Sequence, residues 1–112
     1  MLAKINIREQ LAGIDEYWSQ KVIGNANGQL FKLAKGIGST RWHQHDDQDE
    51  LFIVYSGKLI IELREQTIAL NPEEMIIVPR GVEHRPRAEP EAEFLIVGLA
   101  ITSNAAGGKP DY

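Results

Sequence analysis

Short apolar runs separated by turn residues fill most of the chain and constrain its fold more than any other feature. Residues 51–55 and 75–78 are uninterrupted runs, whereas residues 58–64 alternate between apolar and charged side chains. Runs of this length and period are typical of strands rather than helices. Roughly eight such strands at short intervals predict a single all-β domain, an antiparallel sandwich or barrel.

The expected elements follow one another closely. Residues 1–19 form an N-terminal arm with a short helix, because Asn6 and Glu9 make a capping box. The barrel spans residues 20–101, and the small, polar residues 102–112 form a flexible tail. We expect a hairpin turn at Ser56-Gly57 and a loop at residues 88–92. Strands are expected at residues 29–37, 43–45, 50–55, 58–64, 67–70, 75–78 and 93–101. Trp18, Val22 and Ile23 suggest one more strand, or an extended arm, before a turn at residues 25–28.

Three side chains near the start of the barrel allow more than one interpretation. Trp18 either fills the barrel, contacts a second copy of the chain, or stacks on a ligand. Lys32 and Lys35 interrupt the apolar strand at residues 29–37. One of them could point into the interior, whereas the simpler expectation is that both ammonium groups reach solvent.

Composition excludes several classes of function. The chain has no cysteine, which removes disulfides, thiolate metal sites and cysteine nucleophiles and fits a reducing compartment. A net charge of -4 with scattered Lys and Arg argues against a nucleic-acid surface. The charged N-terminal segment is unlike a signal peptide, and no apolar run approaches the roughly 18 residues of a membrane span. We therefore expect a cytoplasmic protein that binds neither nucleic acid nor membranes.

All three histidines fall in two short segments. His43 and His45 are two residues apart, so both imidazoles project from the same face of a strand. Glu50 begins the next apolar run, and an antiparallel return of that run places its carboxylate beside both rings. His84 follows the turn residues Arg80-Gly81. Three imidazoles and one carboxylate indicate a site for a divalent metal ion.

The spacing of these residues resembles the two motifs of the cupin superfamily. The pattern His-x-His, four residues, Glu, six residues, Gly runs from His43 to Gly57, and Pro-x-Gly-x-x-His runs from Pro79 to His84. With the flanking strand pattern, the resemblance covers most of residues 20–101. Three positions depart from the motifs, namely Ile37 and Glu73 in place of Gly and Ala88 in place of Asn.

This resemblance implies a fold, a cofactor and an assembly. The fold is an antiparallel β-barrel of the double-stranded β-helix or jelly-roll type. One divalent ion (zinc, manganese, iron or nickel) is held by His43, His45, Glu50 and His84, with open positions for water or ligand. The same four residues could instead close a tetrahedral structural zinc shell. Two copies of the chain pair through their sheets to form a homodimer.

Three functions remain open, and short cupins described as like mannose-6-phosphate isomerases are among the members that the chain resembles. The metal could handle a small polar or anionic molecule such as a sugar phosphate, support an iron-dependent dioxygenase, or serve a non-catalytic binding or sensing module. Isomerisation needs an acid and a base, for which Tyr55 and Glu83 are the candidates. Arg80, Arg85 and Arg87 could contact an anionic ligand or be plain surface residues.

Overall fold

The computed structural model describes residues 2–102, in which one short helix precedes six strands. The elements are α1 Ile7–Ala12, β1 Lys21–Ala26, β2 Gln29–Ser39, β3 Glu50–Leu63, β4 Thr67–Leu70, β5 Met75–Val78 and β6 His84–Gly98. The strands pair antiparallel in the order β1-β2-β6-β3-β4, and β5 pairs with β3 beside this path. The predicted all-β fold with a short N-terminal helix is therefore confirmed. Residues 103–112 of the predicted tail lie outside the described residues.

The two long strands β3 and β6 pair along almost their whole length and form the framework of the barrel. Their register shifts on both sides of Gly57, between Val54 and Ser56 and again between Gly57 and Leu59. Such bulges bend a ribbon of two strands. Side chains from both halves of the ribbon therefore meet in one inner apolar cluster, which includes Val54 and Leu59.

Gly57 is required for this bend because it has a φ of +74°, and a Cβ there would lie 1.9 Å from the carbonyl oxygen of Glu91. The predicted hairpin turn at Ser56-Gly57 is wrong, since both residues lie within β3. The predicted loop at residues 88–92 is also wrong, since these residues continue β6. The described range has fewer strands than expected because residues 50–63 form one strand and His43 forms only an isolated bridge.

Local sequence accounts for the short helix and the first hairpin. The side chain of Asn6 accepts a hydrogen bond from the backbone N–H of Glu9 at 2.9 Å, which confirms the predicted N-cap. Helix α1 buries Leu11 completely against the outer face of the sheet. Asn27 and Gly28 both have positive φ and join β1 to β2, as in a two-residue hairpin turn.

Trp18 closes one side of the barrel interior. Its indole packs on the inner cluster with its ring centroid 5.9 Å from that of Phe94, and its Nε1–H donates to the carbonyl of Ile37 at 2.9 Å. Gly36 leaves the room for it, because a Cβ there would approach the indole to 2.7 Å. Among the alternatives given above, these contacts support the filling role.

Over residues 2–102, no helix combines the length and the apolar character that crossing a bilayer requires.

Candidate metal centre

The segment that carries His43 and His45 follows β2 and is fixed by backbone hydrogen bonds to the second histidine segment. His43 and His84 exchange two N–H to carbonyl bonds, at 3.0 and 2.9 Å, as an isolated antiparallel bridge. The N–H of Gly81 donates to the carbonyl of His45 at 2.8 Å. The predicted strand at residues 43–45 is reduced to this bridge, yet the bridge brings the rings of His43 and His84 to a centroid distance of 4.3 Å.

Glu50 and His84 open the two long strands and meet at the same end of the barrel. Glu50 is the first residue of β3, where it pairs with Val78 of β5. Its Oε1 lies 3.3 Å from Nε2 of His84 and 3.6 Å from Nε2 of His45. One ligand atom from each of His43, His45, Glu50 and His84 lies within 4.8 Å of the others. The structure therefore brings together the four residues that the spacing singled out.

Backbone carbonyls fix the orientation of two of the rings. Nδ1–H of His43 donates to the carbonyl of Arg41 at 2.8 Å, and Nδ1–H of His84 donates to the carbonyl of Val82 at 2.9 Å. Because a carbonyl oxygen can only accept, each of these rings carries a hydrogen on Nδ1. In its neutral form, each ring offers the lone pair of Nε2 to the centre of the cluster. This arrangement of the neighbouring groups is common around metal-binding histidines.

Burial and the neighbouring groups favour the protonation states that a metal ligand needs. Burial lowers the pKa of His43 to about 4, so its ring is neutral at pH 7. Burial alone would raise the pKa of Glu50, but its contacts with His45 and His84 outweigh that effect and lower the pKa to about 2. A neutral imidazole and an ionised carboxylate are the forms that bind a cation.

The donor set fits a divalent ion. Glu50 is 2% exposed, and its Oε2 has no hydrogen-bond partner among the described residues. A buried carboxylate oxygen without a partner is costly unless a cation or a donor meets it. Ligand atoms within 4.8 Å of one another need little movement to share an ion at metal–ligand distances of about 2.0–2.2 Å.

Two residues that support the loop before Glu50 were not identified from the sequence. Gln48 is 4% exposed, and its Oε1 accepts the N–H of Leu99 at 2.6 Å, close to Gly98. Asp49 accepts the N–H of Arg80 at 2.9 Å and so joins the two motif segments. A Gln between acidic residues gives no sequence signal that it is buried.

The two candidate acid–base residues lie away from the cluster. Tyr55 packs in the outer apolar layer with Leu11 and Leu95, on the face of β3 opposite to Glu50, and burial raises its pKa. Glu83 is partly exposed and accepts hydrogen bonds from Arg64 at 2.7 and 3.2 Å. The geometry thus gives neither residue a position for proton transfer at the centre.

The three arginines proposed as anion contacts also have other partners. Arg85 and Arg87 alternate with the inward residues of β6 and donate to the carboxylate of Glu62 at 2.8 and 2.7 Å. Arg80 is exposed and forms an ion pair with Asp49 at 3.6 Å. Arg87 also pairs with Glu89, so three carboxylates balance the three arginines, and the structure gives the predicted anion contacts no support.

Lys32 differs from the simpler expectation. It is 0% exposed, and its Nζ donates to the carbonyl of Ala100 at 2.5 Å. Lys35, on the opposite face of β2, keeps part of its side chain exposed and lies 3.9 Å from Glu93. The expectation that both ammonium groups reach solvent is therefore wrong for Lys32.

Comparison with known proteins agrees with this fold. The family model Cupin_2, a cupin domain, matches residues 29–98, which is more than half of the chain. The chain belongs to this cupin family. The match begins with β2 and ends with β6, so it includes all four clustered residues.

Three relatives of this cupin show how similarity is distributed. A cupin-2 domain protein from Shewanella frigidimarina is 42% identical with a TM-score of 0.81, covering 83% of this chain and 91% of that one. The protein NMB1881 from Neisseria meningitidis is 31% identical with a TM-score of 0.79, over 88% of this chain and all of that one. The uncharacterized protein YdbB of Bacillus subtilis is 37% identical over 59% of each chain, so this cupin matches about three fifths of that relative's length.

More distant structures share the fold alone. They include hydroquinone 1,2-dioxygenase from Sphingomonas, at 18% identity and a TM-score of 0.70 over 85% of this chain and 72% of that one. They also include a Ralstonia eutropha protein provisionally described as a mannose-6-phosphate isomerase, at 19% identity and a TM-score of 0.59 over 70% and 81%. Cupins with this fold thus carry names from different reaction classes.

Proposed function

We propose that this cupin holds one divalent metal ion through His43, His45, Glu50 and His84 and uses it to bind or transform a small polar or anionic molecule. The observation that carries the proposal is the convergence of four ligand atoms within 4.8 Å on a site where Glu50 Oε2 is buried without a hydrogen-bond partner among the described residues. When bound, the ion supplies Lewis acidity and activates bound water.

The filled interior limits what a ligand can be. Between Trp18, Phe52 and Phe94 the barrel leaves a cavity of about 10 Å³, the space of a single water molecule. Among the four ligands, His45 has the most exposed side chain at 13%, and Glu50 and His84 are at 2% and 1%. We therefore infer that a ligand is small and approaches the ion from the side of His45.

Loading with metal and a ligand screen test the proposal together. Chelator-treated protein is supplied with zinc, manganese, iron or nickel, and its thermal unfolding is followed with small carboxylates and sugar phosphates. A ligand at 100 times its dissociation constant stabilises the folded state by about 2.7 kcal/mol. The proposal predicts this stabilisation for metal-loaded protein and its loss in metal-free protein. Equal stabilisation of both forms would show that the metal is not the recognition element.

An iron-dependent dioxygenase is the second candidate function. It is favoured because Tyr55 and Glu83, the two acid–base candidates that isomerisation would need, lie away from the cluster. Elemental analysis that finds iron, together with oxygen consumption on aromatic diols or thiols, supports this function. Oxygen consumption that is absent with all of these compounds argues against it, and both the first function and a non-catalytic binding or sensing module remain.

We also propose that two copies of the chain associate through the outer face of β3 and β5. Met75 and Ile77 are 50% and 53% exposed and pair with Ile53 and Leu51, which gives a continuous apolar surface. Light scattering at micromolar concentration is expected to give twice the chain mass, and Ile77→Lys is expected to give the monomer. A wild-type monomer contradicts this assembly. A cytoplasmic location likewise stays a prediction.

A further inference from the structure

Trp42 is an aromatic side chain on the outer side of the barrel that the proposed function has not yet used. It directly precedes His43, whose ring belongs to the cluster, so in extended backbone the two side chains point to opposite faces. The nearby side chains of Arg41 and Gln44 are exposed, whereas Trp42 is half-buried. Side chains from elsewhere in the chain therefore cover its indole.

Two arginines from the two long strands cover the indole. Cζ of Arg64, the residue after β3, lies 3.9 Å from the centre of the Trp42 ring, and Cζ of Arg85 on β6 lies 5.3 Å from it. Both distances are within the range of cation–π contacts. Arg85 is itself held against β3, because it donates a hydrogen bond to Glu62 at 2.8 Å. The indole is thus fixed to both strands of the framework.

The segment that carries Trp42 lies outside the strands and has a limited backbone restraint at the cluster. Between Ser39 and Glu50, all of which the structure describes, the chain pairs with β6 through the isolated bridge of His43 to His84. One bridge fixes the distance between two backbones, but rotation about it stays soft. A rotation that lifts the indole off the arginines also swings the imidazole of His43 out of the cluster. Binding sites need their side chains held within about 0.5 Å and 10–20°.

We infer that Trp42, Arg64 and Arg85, here called the tryptophan clamp, position His43 for metal binding, an inference that rests on the proposed function. None of the three belongs to the group of clustered ligands. Their effect passes through the backbone of His43, so they are positioning residues that change the affinity for the ion without contacting it. Opening the clamp is therefore expected to weaken metal binding in a protein that still folds.

A surface stack without influence on the centre is the competing explanation. In that case the loss of Trp42 destabilises the metal-free and the metal-loaded protein equally, and the zinc affinity stays the same. The charge of Arg64 gives a second distinction. Removing a positive charge by itself favours a cation nearby, so the electrostatic effect of Arg64→Met raises the zinc affinity. A positioning role of Arg64 lowers it.

Zinc affinity and stability are measured on the same variants to separate these explanations. Competition with a chromophoric chelator gives the zinc affinity, and urea unfolding after chelator treatment gives the stability of the metal-free protein. We expect zinc binding about tenfold weaker in Trp42→Leu and about threefold weaker in Arg64→Met. Trp42→Phe keeps an aromatic face and is expected to lose less than Trp42→Leu. Lys58→Met removes an exposed cation of β3 and is the matched control, with no weakening expected.

A double variant tests whether the two side chains act together. Trp42→Leu combined with Arg64→Met is expected to bind zinc as weakly as Trp42→Leu alone, because both changes break the same stack. Losses that multiply, or a Trp42→Leu variant with the zinc affinity of the wild type, overturn the clamp and leave the metal site. A wild type that binds no zinc overturns both. If Trp42→Leu does not fold, Arg64→Met decides, and an affinity equal to that of Lys58→Met overturns the clamp.

Discussion

The bend at Gly57 gives a sharp prediction about stability. Gly57→Ala places a methyl group 1.9 Å from the carbonyl oxygen of Glu91 and 2.9 Å from Cα of Ala92. Gly28→Ala is the matched control, because Gly28 has nearly the same φ, +77° against +74°, and nothing lies within 4 Å of the added methyl group. The difference between the two variants therefore measures the steric contact alone.

The expected magnitudes follow from these two geometries. An alanine with positive φ costs about 1–2 kcal/mol, and this is the full effect expected for Gly28→Ala. At Gly57 the clash with backbone adds about 1–3 kcal/mol, because the pairing of β3 with β6 must open to relieve it. At about 4 °C per kcal/mol, the melting temperature falls by about 4–8 °C for Gly28→Ala and about 8–20 °C for Gly57→Ala.

Thermal and urea unfolding of the metal-free protein, followed by circular dichroism, measure both variants without a contribution from bound ions. If Gly57→Ala and Gly28→Ala lose the same stability within the error of the measurements, the bend at Gly57 is refuted. That is the result expected if Ser56-Gly57 were an open hairpin turn, as the sequence alone indicated. A clearly larger loss for Gly57→Ala supports a continuous β3.

Three further predictions concern the surroundings of the metal centre. Gln48→Ala removes a buried hydrogen bond to Leu99 and loosens the loop before Glu50, so calorimetry should show metal affinity reduced by about tenfold. Burial raises the pKa of Glu93, but the hydrogen bonds that Ser56 and Arg8 donate to its carboxylate outweigh this effect and lower the pKa. The wild type is therefore expected to exceed Glu93→Gln in stability above about pH 4.5, and pH-dependent urea unfolding should show the difference shrinking below that pH. Tyr55→Phe should leave metal content unchanged by elemental analysis, because the hydroxyl lies on the outer face; a loss of metal would place Tyr55 in the site.

The convergence of the four clustered residues was predictable because short-range spacing and strand period carry most of the information. His43 and His45 share a face by their separation of two residues, and Glu50 starts a run that must be buried. What the sequence did not indicate was the pairing partner: His43 bridges to His84 rather than to the strand that follows Glu50. The pairing of distant segments depends on tertiary contacts, which no local pattern contains.

The errors have physical reasons of the same kind. Ser56-Gly57 has the same local chemistry in a hairpin turn and in a bulge, and only the close approach of Glu91 distinguishes the two. Lys32 was expected in solvent because burying an ammonium group is costly, and the carbonyl that meets it is 68 residues away. The outward direction of Arg85, by contrast, was predictable from its position next to an inward His84.

Metal stoichiometry tests the central claim most directly. Chelator-treated wild type, His84→Ala and the neighbouring outward-facing control Glu83→Gln are supplied with zinc, desalted and measured by elemental analysis and calorimetry. We expect one tightly bound ion per chain in the wild type and in Glu83→Gln, and at least a 100-fold weaker affinity in His84→Ala. A wild type without bound metal, or a His84→Ala variant that keeps a full complement, would contradict the account.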